Sequence, residues 1–132
     1  MTPEDWLNEA RRHAGGPDEI SLRTAISRGY YAGYHQALTV SHWCPRSPSS
    51  NQDQGVHAAL IGRFNSVSKN LPGSTSARSI ATYLSKSRAF RRTADYELNA
   101  TVRPNDARQC IQFAEKIAQL TVEFAGRYAE KP

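Results

Sequence analysis

One short segment, "SRGYYAGYHQA" (27–37), holds the residues whose types and spacing are best suited to chemistry. Arg28 can bind a phosphate through two parallel hydrogen bonds, and it keeps its charge at physiological pH. His35 titrates near neutrality, so it can take a proton from a ribose 2′-OH or give one to a leaving oxygen. With Tyr31 to position the phosphate, this pair offers the groups that cleave RNA without a metal ion. The open alternative is that Tyr31 and His35 pack at a contact between helices or protomers.

The same segment predicts a helix with two different faces. At about 100° per residue, Arg28, His35 and His42 follow one another every seven residues along one face. Their spacing differs from the i, i+4 pair of helical metal sites, and no carboxylate shares the face, so we expect no metal ion. The opposite face is apolar but thin, and its two glycines predict that another helix approaches closely. Its members are Leu22, Ile26, Gly29, Tyr30, Gly33, Ala37 and Val40.

The surrounding sequence predicts five helices and no strand. Capping residues, prolines and apolar periodicity place the helices at Pro3 to Ala14, Glu19 to about Trp43, 56–70, 76–94 and from Pro104 onward. Between the second and third helices, "CPRSPSSNQDQG" (44–55) is predicted to be a flexible loop. We therefore expect one all-α domain over residues 1–132, an up-and-down bundle of about five helices.

The excess positive charge lies in the middle third of the chain. Residues 54–94 carry seven basic groups and no acid, whereas residues 1–53 and 95–132 each carry five basic and six acidic groups. Such a one-sign region attracts polyanions, so we expect Lys86, Arg88, Arg91 and Arg92 to bind the RNA backbone. The alternative is a solvated surface that only aids solubility.

Composition narrows the class of protein. No apolar run approaches the roughly 20 residues that span a bilayer, and the N-terminal residues contain no apolar signal region. We expect no membrane association and a cytoplasmic location. Cys44 and Cys110 form no metal-ligand pattern, so we expect both to be reduced and structural.

Four segments in order resemble the signature blocks of the HEPN domain family. They are "SRGYYAGYHQAL" (27–38), "GVHAALIGRF" (55–64), "RRTADYELN" (91–99) and "DARQCIQFAEKI" (106–117). The resemblance is narrowest to small stand-alone prokaryotic HEPN proteins, which carry similar S-R-x-Y-Y-A, G-x-H-x-x-L and R-x-x-A-D-Y segments. It extends over about residues 3–128.

The resemblance implies a helical bundle that forms a homodimer and either cleaves RNA or binds a nucleotide. Active members use an Arg-x(4–6)-His motif from both protomers, and Arg28 with His35 matches its long form. Gly29 stands where active members place a polar residue, and the motif lies in the second helix rather than late in the domain. The resemblance further implies a toxin whose antitoxin partner is a nucleotidyltransferase. A non-catalytic subunit that binds RNA, a nucleotide or a partner protein is the alternative.

Two more residues of these blocks, Asp95 and His57, have two open interpretations each. Asp95 either orients Arg28 or a histidine, or forms a weak i, i+3 pair with Arg92 beside a packed Tyr96. His57 either faces the cleft with His35 or caps the start of the third helix. We expect no cofactor.

Overall fold

The computed structural model describes residues 1–46 and 55–129, with side chains to Arg127, and these residues form an all-α bundle. Its helices are α1 (Pro3–Ala14), α2 (Glu19–Leu38), α3 (Gly55–Asn65), α4 (Ser74–Tyr96) and α5 (Pro104–Ala129), with a short 3₁₀ helix at Ser41–Trp43. The predicted all-α bundle of five helices is confirmed, with no strand in the described ranges. Most of the predicted flexible loop, residues 47–54, lies outside the described residues. None of the helices described is long and apolar enough to cross a bilayer.

The starts of the first two helices follow from local capping chemistry, as predicted. Thr2 accepts a hydrogen bond from the Asp5 amide, while the Asp5 carboxylate accepts one from the Thr2 amide, a reciprocal capping box. Asp18 caps α2 by accepting from the Ser21 amide. Each cap satisfies backbone donors that a helix start leaves unpaired.

Two helix ends differ from the prediction. α2 ends at Leu38 rather than near Trp43. At this end the Thr39 hydroxyl donates to the Gln36 carbonyl, and the Ser41 hydroxyl donates to the Leu38 carbonyl. Such local hydrogen bonds compete with the helical ladder.

α3 ends at Asn65, five residues earlier than expected. The Arg78 guanidinium of α4 donates to the carbonyls of Asn65 and Val67. These contacts hold the chain in a turn after α3, and the charge and hydrogen bonds come from a residue distant in sequence.

α2 is the central helix and packs against α1, α4 and α5. The apolar face predicted for it is buried, and its glycines lie against α5. A Cβ added at Gly29 would lie 3.4 Å from Cys110, and one at Gly33 would lie 2.8 Å from Cδ1 of Ile117. The predicted close approach of a second helix is therefore confirmed. Both cysteines are free and buried, and burial raises the pKa of the Cys110 thiol to about 12.

Three apolar clusters surround α2. The largest joins the C-terminal half of α2 to α3, α4 and α5 around Phe64 and Phe124. A second joins the start of α2 to the end of α4 and the start of α5 around Ile26 and Cys110. The third is small and packs α1 on α2 through Leu7 and Ala32. This arrangement fixes the side of α2 that carries the residues discussed next.

Candidate functional site

Six aromatic rings from three helices meet on one side of α2, and we call them the aromatic cluster. They are Trp6 of α1, Tyr30, Tyr31, Tyr34 and His35 of α2, and His57 of α3. Two guanidinium groups contact it. Arg28 lies 5.3 Å from the centre of the Trp6 ring, and Arg91 of α4 lies 5.2 Å from that of Tyr30. Cations and aromatic faces attract one another at these distances.

The predicted catalytic pair lies on the α1 side of the cluster. His35 stacks on Trp6 with ring centres 5.2 Å apart, and Arg28 lies over the same indole. Trp6 therefore contacts both members of the pair. Burial lowers the pKa of His35, so the ring is neutral near pH 7 and can act as a base. His42, predicted to continue this face, is exposed in the 3₁₀ helix and packs against Trp43 instead.

Tyr31 connects the two sides of the cluster. Its half-buried ring lies 5.5 Å from that of Trp6 and 6.0 Å from that of His57. The Arg91 guanidinium also lies 5.8 Å from its centre. Among the residues predicted to be catalytic, Tyr31 is thus the one that contacts both the α1 side and the α4 side.

Tyr30 and His57 form the shortest polar contact in the cluster. The Tyr30 hydroxyl lies 2.6 Å from Nδ1 of His57, and the Tyr30 side chain is only 1 % exposed. Burial raises the pKa of Tyr30 well above its usual value, so the phenol stays protonated, and we assign it as the donor to Nδ1. With this assignment the proton of neutral His57 lies on Nε2. Burial, and next the charges of Arg91 and Arg88, lower the pKa of His57 and favour this neutral form.

Arg91 is the main difference from the predicted basic surface, because it is buried. The residue is only 7 % exposed, and its guanidinium lies within 6 Å of Tyr30, Tyr31 and Tyr96. Asp95 accepts its one hydrogen bond within the described chain, at 3.5 Å. Its Nε has no acceptor among the residues described.

Within the described residues, Asp95 forms an ion pair with neither Arg28 nor Arg92, the two arginines that the sequence suggested. The pair that forms is Arg91–Asp95, at i, i+4, and the Ser27 hydroxyl donates to the same Asp95 oxygen at 3.4 Å. The prediction of an Arg92–Asp95 pair is therefore wrong. Tyr96, expected to pack, is 70 % exposed, although its ring still contacts Arg91.

The four basic residues predicted to bind RNA do not form one surface. Arg91 is on the buried face of α4, while Lys86 is exposed about 140° away around the helix axis. Lys86 lies beside Ile61 and Asn65 of α3, and Arg92 is exposed one helical turn after Arg88. Arg88 is half-buried and close enough to Tyr30 and His57 to affect both electrostatically. Helical periodicity thus separates Lys86 from the three arginines, which lie within about 100° of one another around α4.

No sequence pattern indicated a chemical role for Trp6, Ser27 or the Tyr30 hydroxyl. Tyr30 lies on the apolar face as predicted. A position on that face indicated packing alone and gave no sign of the hydrogen bond between its hydroxyl and His57. In the ranges that the structure describes, no three His, Cys, Asp or Glu side chains group closely enough to hold a metal ion. Comparisons with protein-family models, with curated proteins and with solved structures found no match for this chain.

Proposed function

We propose that the protein is a metal-independent endoribonuclease of the HEPN type, acting in the cytoplasm as a homodimer. The observation that carries this proposal is the meeting of three distant sequence blocks in the aromatic cluster. Tyr31 from 27–38, His57 from 55–64 and Arg91 from 91–99 lie in contact through their rings and charges. Aromatic rings and arginines are the groups on which single-stranded RNA stacks and binds.

In the proposed reaction, neutral His35 takes the proton from a ribose 2′-OH. The 2′ oxygen forms a bond to the adjacent phosphorus, and the bond from phosphorus to the 5′ oxygen breaks. His35 then gives this proton to the leaving 5′ oxygen, which restores the neutral imidazole, and the products are a 2′,3′-cyclic phosphate and a 5′-hydroxyl. Arg28 stabilises the charge that develops on the phosphate, and Tyr31 positions it.

A non-catalytic subunit is the second candidate, and one observation favours it. Trp6 contacts both Arg28 and His35, so α1 occupies the space beside the predicted catalytic pair. In this case the surface binds RNA, a nucleotide or a nucleotidyltransferase partner, and the pair serves packing. In the first case, the chain is the toxin of a toxin–antitoxin pair with a nucleotidyltransferase as antitoxin.

The test is cleavage of a labelled, structured RNA in EDTA by the wild type, His35→Ala and His42→Ala. His42 is the matched control because it is an exposed histidine outside the cluster. We expect the wild type and His42→Ala to cut and leave 2′,3′-cyclic ends, and His35→Ala to lose at least a hundredfold in rate. All three proteins are compared for folding and for oligomeric state by light scattering. RNA binding without cleavage by the wild type favours the second candidate, and loss of the dimer in His35→Ala makes His35 an interface residue.

A further inference from the structure

The buried guanidinium of Arg91 has more hydrogen-bond donors than the protein satisfies. A guanidinium carries five N–H donors, and buried donors in folded proteins nearly always have acceptors. Among the described residues Arg91 has one acceptor, Asp95, and the 3.5 Å distance is at the limit of a hydrogen bond. Nε is enclosed and has none. Three tyrosine rings surround the charge, and their attraction does not supply oxygen acceptors.

Arg88 places a second under-satisfied cation one helical turn away. Its Nε is also enclosed and has no acceptor within the described chain, whereas the terminal nitrogens of Arg88 and Nη2 of Arg91 are not fully enclosed. The i, i+3 spacing places both arginines on one side of α4, and the charges of both contribute to the lowered pKa of His57. The described residues place one carboxylate, that of Asp95, in an ion pair with these two arginines, through Arg91. The same carboxylate also accepts a hydrogen bond from the Ser27 hydroxyl. The region therefore holds a net positive charge where water is partly excluded.

We propose that Arg88, Arg91 and His57 bind one phosphate group. Arginine forks match the tetrahedral oxygens of phosphate through parallel, charge-assisted hydrogen bonds. Because Tyr30 donates to Nδ1 of His57, the Nε2–H of that ring is a further donor. Three donor groups around one position suit an anion that has three or more acceptor oxygens.

This inference rests on the proposed function for the source of the phosphate, which is the RNA backbone or a nucleotide. The existence of the phosphate site at Arg88, Arg91 and His57 does not depend on the proposed function. The phosphate position differs from the one at Arg28 and His35, which is beside Trp6 on the other side of Tyr31. A base attached to the bound phosphate can stack on the half-exposed Tyr31 ring, so a nucleotide gains a contact that inorganic phosphate lacks.

The experiment is calorimetric titration with inorganic phosphate, adenosine 5′-monophosphate and adenosine at constant ionic strength. The proteins are the wild type, Arg91→Gln, Arg88→Gln and the control Arg108→Gln, which removes one charge from an exposed position of α5. We expect both phosphate compounds to bind and adenosine not to bind. Arg91→Gln and Arg88→Gln should weaken binding at least tenfold, and Arg108→Gln less than twofold. If Arg91→Gln does not fold, Arg88→Gln decides the comparison.

Two results overturn the proposal. One is the absence of phosphate binding to the wild type. The other is an equal loss in Arg108→Gln and Arg88→Gln, because a diffuse charge effect would then explain the affinity. If the nucleotide binds more tightly than inorganic phosphate, the bound phosphate group belongs to a nucleotide or to RNA. If the two bind equally, the phosphate site is supported with a free anion as its ligand.

Different results contradict the phosphate site and the proposed nuclease. If the phosphate compounds bind through Arg88 and Arg91 but no RNA is cut, the phosphate site is supported and the nuclease is contradicted. If RNA is cut in a His35-dependent way while Arg88→Gln cuts normally and binds no less phosphate, the nuclease is supported and the phosphate site is contradicted.

Discussion

The Tyr30–His57 hydrogen bond gives the sharpest test of the cluster's geometry, through the substitution Tyr30→Phe. Phenylalanine fills the same buried space, so the substitution removes the hydroxyl without creating a large cavity. A neutral hydrogen bond contributes about 1 kcal/mol net, and leaving its partner without a donor adds to the loss. We expect the free energy of unfolding to fall by about 1–2 kcal/mol, and the melting temperature to fall by about 3–8 °C. Denaturant titration and thermal scans at pH 7.5 measure both.

The same substitution should raise the pKa of His57. The phenol donates to the unprotonated Nδ1, so its hydrogen bond favours the neutral imidazole over the charged one. The burial and the arginine charges that also lower this pKa remain in the variant. Histidine ring resonances followed by NMR against pH report the change. An unchanged or lower His57 pKa in Tyr30→Phe would refute the assigned direction of the hydrogen bond.

Tyr83→Phe is the matched control for stability. Tyr83 is a half-buried tyrosine of α4 whose ring packs against Phe113 at 5.6 Å, and its hydroxyl has no hydrogen bond within the described residues. We expect its unfolding free energy to change by less than about 0.5 kcal/mol. Equal losses in Tyr30→Phe and Tyr83→Phe would show that the 2.6 Å contact contributes nothing particular.

Three further outcomes are expected. Since burial lowers the folded-state pKa of His35 and His57 below the unfolded value of 6.5, the unfolded chain binds more protons as the pH falls, and stability is lost from about pH 6.5 downward through the folded pKa. Melting temperatures at pH 7.5, 6.5 and 5.5 should fall less steeply in a variant with both histidines changed to glutamine, and equal slopes would contradict this. Gly33→Ala should be less stable than Gly29→Ala by about 1–2 kcal/mol. The reason is that a Cβ at position 33 lies 2.8 Å from Cδ1 of Ile117, whereas a Cβ at position 29 lies 3.4 Å from Cys110. Adding Ile117→Val to Gly33→Ala should reduce that difference. Phosphate at 100 times its dissociation constant should stabilise the protein by about 2.7 kcal/mol, and no shift in melting temperature would contradict specific binding.

The starts of the first two helices were predictable from the sequence, and the end of α3 was not, for a physical reason. Thr2 and Asp18 cap through amides only three residues away, so a short window of sequence contains the whole interaction. The end of α3 depends on Arg78, which reaches back 13 residues to the Asn65 carbonyl. Such a contact forms only when α3 and α4 pack together, so no local sequence pattern predicts it.

The two faces of α2 were predictable from the sequence, but the side chains that contact each face were not. Helical spacing correctly separated the buried face of α2 from the face that carries Arg28 and His35. It could not show that Trp6 of α1 covers that second face, because the position of α1 depends on tertiary packing. The partner of Asp95 was missed for a simpler reason. Helix geometry allows Asp95 to pair with Arg91 at i, i+4 or with Arg92 at i, i+3, and the structure forms the first pair rather than the predicted second.

The position of Arg91 was readable from the sequence as a conflict. At about 100° per residue, Arg91 lies within about 20° of Ile80 and Leu84, both of which belong to the apolar core. A permanent charge in such a position opposes folding unless something neutralises it, and one distant carboxylate beside a second arginine does so only in part. Sequences usually violate a local rule of this kind where function requires it. The exposed arginines had suggested a surface that attracts RNA, but the buried one has the stronger physical requirement for an anion.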